Sequence, residues 1–111
     1  MPAAPAVLTP AEAMPLAELI AFAPQGIASR VLSRNSGGSV TLFAFDAGQG
    51  LSEHSSPYDA LVQVLEGTFS LTIGGVLVAA RTGDIVRMPA NVPHAVDAEA
   101  PSRMLLTMLK G

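Results

Sequence analysis

The chain has 111 residues, half of them apolar and only 14% charged, with a formal net charge of −3. That length holds one domain around a single core, and a surface so poor in charge implies cover by a second subunit, so a homodimer is expected. An acidic balance without a basic run excludes the electrostatic footprint of nucleic-acid or anionic-membrane binding, and the absence of cysteine excludes disulfides and thiolate zinc sites.

The first 22 residues are apolar, but no Lys or Arg precedes Arg30, and Pro2, Pro5, Pro10 and Pro15 interrupt them. They therefore read neither as a signal peptide nor as a membrane span, and cytoplasmic residence is expected. Residues 1–8 read as an extended arm. Thr9-Pro10-Ala11-Glu12 offers an N-cap, a proline at the first helical position and a glutamate at the third, which predicts a short helical turn there that Pro15 limits. Residues 1–23 are thus assigned to an arm with a short helix, and residues 24–111 to the main domain.

From residue 27 the signals are those of strands. Residues 27–34 lead to the turn Asn35-Ser36-Gly37-Gly38, and residues 39–47 alternate so that Thr41, Phe43 and Phe45 share a face. Residues 68–73 and 76–81 flank Gly74-Gly75, the pair that permits the positive φ angles of a tight hairpin. Residues 103–110 supply a further strand, apolar on both faces. Short, evenly spaced strands punctuated by glycine predict an all-β sandwich or barrel.

Both histidines lie between residues 48 and 94, each in a motif. The first runs from Gly48 through five residues to His54 and ends at Gly67; the second joins Gly83, Pro89 and His94, with fifteen residues between the two. Together they resemble the paired motifs of the cupin family. The resemblance implies a cupin jelly-roll β-barrel, or double-stranded β-helix, preceded by the short N-terminal helical turn. It also implies a metal-ligand set of which only His54 and His94 are present. Ser56 stands where the family has a second histidine, and Ala60 where it has a glutamate. Asn91 replaces a glycine, a substitution that a left-handed backbone tolerates, and Ala98 replaces the closing asparagine.

Two imidazoles converging in a barrel suit a divalent transition metal such as Fe, Mn, Ni, Cu or Zn, but leave it short of protein ligands. Glu53, Asp59 and Gln63 are the candidates to complete the set. Strand alternation turns Glu53 and Asp59 away, so the rescue is a bulge or the turn at Ser56-Pro57-Tyr58 that re-aims Asp59. The bland counterpart is a pair of hydrogen-bonded pocket histidines without metal. Ser56 reads as a lining residue, since no third group orients a histidine base beside it. Tyr58 reads as pocket rim or packing, and Met88, Met104 and Met108 as core or interface filler. Arg87 is expected to pair with Asp84 or a partner subunit, ahead of binding an anionic ligand.

The expected pocket therefore comprises His54, Ser56, Tyr58, Ala60, Gln63, Met88 and His94, with His54 and His94 as the metal-ligand candidates. The leading expectation is a stand-alone small cupin that binds a small organic molecule in its barrel. The alternative is a metal-dependent oxygenase or isomerase using both histidines and an atypical third ligand. Below these stand metal-free acid/base catalysis with Asp59 or Asp97 tuning a histidine, and a purely structural domain whose barrel is filled by side chains.

Overall fold

The computed structural model describes residues 7–110. Residues 1–6, most of the expected arm, and Gly111 lie outside the described residues. The described chain forms nine strands: β1 (Ile27–Asn35), β2 (Gly38–Phe45), β3 (Gly50–His54), β4 (Asp59–Glu66), β5 (Thr68–Ile73), β6 (Val76–Arg81), β7 (Ile85–Met88), β8 (His94–Ala98) and β9 (Ser102–Leu109). They pair antiparallel in two facing sheets, ordered β1-β2-β9-β4-β7 and β3-β8-β5-β6. This is the expected all-β jelly roll.

Period-two alternation sets what each strand buries. On β4, Ala60, Val62 and Val64 are buried, while Gln63 between them is exposed. Their counterparts are Phe69 and Leu71 on β5, Val96 and Ala98 on β8, and Met104 on β9, which with Phe45 make one core cluster. Phe45 meets Phe69 edge-on with ring centroids 5.2 Å apart, an arrangement favoured by the ring quadrupoles. The β5–β6 hairpin turns at Gly74 and Gly75 with φ of 56° and 81°, as the glycine pair predicts.

A second buried layer lies on the other face of the five-stranded sheet, where Leu32, Leu42 and Ala44 are buried outside the main cluster. The N-terminal segment is tied to this sheet. Leu8 donates its N–H to the Leu32 carbonyl. Arg103 on β9 donates to the Ile20 carbonyl from two guanidinium nitrogens, stacks 4.1 Å from the Phe22 ring centre and forms an ion pair with Glu66. The helical turn in this segment is a 3₁₀ turn at Leu16–Glu18, not at Thr9. Pro10 and Ala11 form a turn with Ala11 at φ 61°. Pro15 ends the extended stretch and caps the helical turn that follows it, with the Glu18 N–H bonded to the Pro15 carbonyl. A helix begun at Pro10 would have needed an N–H that Pro15 does not have. None of the described helices is long and apolar enough to cross a membrane.

Candidate functional site

The site is built where the two motifs meet, at one end of the barrel. His54 on β3 and His94 on β8 are direct cross-strand partners. The register slips between Leu51 and His54, so that three residues on β3 span two on β8. Strict alternation would have sent Leu51 and His54 to opposite faces; the bulge lets both face the barrel interior. The loops carrying the motifs are joined by the Asn91 N–H, which donates to the Ser56 carbonyl at 2.7 Å. Asn91 has φ 64°, the left-handed conformation its position requires.

Each imidazole is fixed through its Nδ1 atom, His54 on the Ser52 carbonyl at 2.7 Å and His94 on the Val92 carbonyl at 3.1 Å. A carbonyl only accepts, so both Nδ1 atoms carry the proton in these bonds. The two Nε2 atoms then face each other 3.1 Å apart with the rings steeply inclined. Neutral imidazoles in this tautomer present two lone pairs to one another, an arrangement satisfied by a shared proton, a cation or a hydrogen-bond donor from a ligand. His94 is 5% exposed and His54 is open to solvent, so the pair spans the entrance and the interior.

Behind the pair lies a cavity of about 170 Å³. Its walls are Leu51, Val96 and Leu106, the methionines Met88, Met104 and Met108, and the small residues Ser56 and Ala60. Of the expected pocket residues, His54, Ser56, Ala60, Met88 and His94 come together here. Gln63 does not, because it occupies the outward parity of β4. Tyr58 lies along a separate groove with Pro57 and Lys110, the Lys110 ammonium 5.6 Å from its ring centre. The sequence does not single out Leu51, Val96 or Leu106, and its pattern marks Met104 and Met108 only as filler. The alternation of Met104, Leu106 and Met108 on one face of β9 is the signal that would have placed them.

The rescue of the metal site by Asp59 is overturned. Its Oδ1 accepts the Ala90 N–H at 2.8 Å and its Oδ2 pairs with Arg87 at 3.3 Å. Arg87 thus finds Asp59, not Asp84, whose carboxylate accepts the Arg81 N–H instead. Glu53 and Asp97 are exposed, and both Nδ1 atoms bond to backbone carbonyls, not to a carboxylate. Among the described residues no group of three or more His, Asp or Glu side chains is placed to hold a metal. Among the described residues the lining of the site therefore offers no carboxylate for a hard divalent ion to share with the two imidazoles.

Among curated proteins no sequence matches this one. Several solved structures do. A conserved protein of unknown function from Streptococcus pyogenes is 32% identical, over 94% of this chain and 91% of its own, with a TM-score of 0.88. A cupin superfamily protein from Desulfitobacterium hafniense is 26% identical, over 92% and 94%, with a TM-score of 0.86. A cupin 2 conserved barrel domain protein from Leptotrichia buccalis is 35% identical, over 85% of this chain and 46% of its own, with a TM-score of 0.81. The family profile described as Cupin domain matches residues 41–109, from the middle of β2 to the end of β9. By its barrel, its two motifs and these matches, the chain belongs to the cupin family.

Proposed function

We propose that this cupin binds a small, mostly apolar molecule that offers a hydrogen-bond donor to the imidazole pair. The observation that carries the reading is the facing of two Nε2 acceptors, 3.1 Å apart, at the mouth of an otherwise apolar cavity. A ligand hydroxyl that approaches the pair donates its one proton to an Nε2 lone pair, a donor that the two Nδ1-protonated imidazoles do not offer each other. The cavity size limits the ligand: an engineered apolar cavity of about 150 Å³ accommodates benzene, so about 170 Å³ suits a phenol-sized molecule.

The test compares phenol with benzene by two-dimensional NMR titration. Phenol is expected to bind roughly 3 to 10 times more tightly, the worth of one net hydrogen bond. The His54→Leu, His94→Leu double variant should erase that preference while still binding benzene. Failure of both probes to enter, or a phenol preference that survives the double variant, refutes the reading.

A second reading is favoured by the same nitrogen separation, which two ligands each about 2.0–2.1 Å from one ion can share. In it His54 and His94 hold a metal, and their Nδ1 bonds to carbonyls are the outer contacts that orient ligating imidazoles. A bound ion there would polarise a ligand oxygen.

A further inference from the structure

The carboxylate that the family places on β4 is replaced here by Ala60, and the structure supplies other donors beside it. In the five-stranded sheet Ala60 pairs with Met88 on one side and with Met108 on the other. Directly paired residues of antiparallel strands point to the same face, so the two methionines flank the gap that Ala60 leaves. Both line the cavity that the imidazole pair closes. Both also lie at the histidine end of the barrel, since Ala60 follows the Ser56 turn and Met88 begins the loop that runs to His94. Met104 lines the same cavity but pairs with Val64, four residues along β4 from Ala60 and hence about 13 Å away.

We infer that His54, His94, Met88 and Met108 form a site for monovalent copper, with imidazoles from one sheet and thioethers from the other. This rests on the second reading above, in which the imidazole pair holds a metal, and it names both the ion and the missing donors. The chemistry of the donor set decides the ion. Thioether sulfur is soft and selects Cu(I), whereas Mn and other hard ions prefer carboxylate oxygen, which the lining of this cavity lacks; borderline ions share the imidazoles but gain little from thioether sulfur. Methionine as simple filler accounts for burial of Met88. It does not account for two facing lone pairs beside an alanine gap flanked by thioethers.

The test is anaerobic titration of the protein with Cu(I) alone against a competing chelator, with Zn(II) in parallel and X-ray absorption to detect sulfur bound to copper. One Cu(I) per chain with a sulfur neighbour is expected. The Met88→Leu, Met108→Leu double variant should lose sulfur scattering and bind Cu(I) at least about 10-fold more weakly, the least that loss of even an outer contact to a ligand costs. Met104→Leu should leave both unchanged. Leucine matches methionine in volume, and a retained far-UV spectrum and cooperative melting transition show that each variant keeps its fold. Cu(I) affinity unchanged in the double variant, lost equally in Met104→Leu, or matched by Zn(II) overturns the thioether assignment while a metal at the imidazoles stands. Failure of both ions to bind the unaltered protein overturns the second reading itself, and the inference with it.

Discussion

The two ends of this barrel are made from the same kinds of strand yet treat their polar groups in opposite ways. At the end formed by Gly67 and β9, the wholly buried Ser102 accepts the Thr68 N–H at 3.0 Å and donates to the Ala100 carbonyl at 2.7 Å. Gly67 sits against it with φ 86°, and any β-carbon there would collide with the Ser102 side chain. At the other end His54 and His94 turn two acceptors toward each other beside a cavity walled by Ser56 and Ala60. The closed end satisfies the Ser102 hydroxyl within the chain, and the open end leaves two imidazole acceptors opposed beside a cavity. Function in a fold of this class is legible as the place where local satisfaction stops.

Substitutions at the two ends should therefore differ in sign. Gly67→Ala should be the most damaging, at about 3 kcal/mol, combining a left-handed backbone that alanine resists with overpacking against Ser102; urea unfolding measures it, and a loss below about 1 kcal/mol would show that the closed end yields. Arg103→Ala should cost about 2 kcal/mol by abandoning Glu66, the Ile20 carbonyl and the Phe22 ring at once. Limited proteolysis should then cut first between residues 16 and 26. At the open end, His94→Leu should leave stability within about 1 kcal/mol of the parent or raise it, since it removes one of two opposed acceptors. A large loss would mean that the imidazole pair is structural, and the contrast between the ends would collapse.

The smallest effect concerns acid. The backbone N–H groups of Gln25 and Ala47 hold the exposed Asp46 carboxyl below its ordinary pKa, the Gln25 bond contributing most. A lowered folded-state pKa means that its contribution to stability is present above the ordinary aspartate value of 3.8 and is lost as pH falls through the lowered one. Asp46→Asn should accordingly lower the neutral plateau of a melting-temperature profile slightly and flatten its acid limb, leaving the acid end unchanged. An unchanged acid limb would assign acid sensitivity to other carboxylates.

What the sequence disclosed follows from the range over which each feature acts. Gly74-Gly75 marks its hairpin because a two-residue turn is a local matter of φ, and the paired motifs mark the barrel because glycine, proline and histidine recur at strand ends. The replacement of the family's ligands by Ser56 and Ala60 was equally plain. The bulge that brings Leu51 and His54 to one face was not, since it exists only in the pairing of β3 with β8. Asp59 could be matched to Arg87 and Ala90 only once β4 and β7 were known to be neighbours. The expected helix at Thr9 shows the reverse error. A good local cap was present, but a proline six residues on removed the backbone donor that a helix needs. Met88 and Met108 acquired meaning only from their shared partner Ala60, a relation between three strands.

The place of β9 between β2 and β4 has a consequence for the protein's birth. Those two strands touch no common neighbour until residues 102–109 arrive between them, and Arg103, which holds residues 20–22, arrives with them. During synthesis the emerging hairpin of β1 and β2 waits with an unpaired edge while the rest of the barrel is translated. Closure joins early and late parts of the barrel through one strand, a long-range pairing of the kind that slows folding.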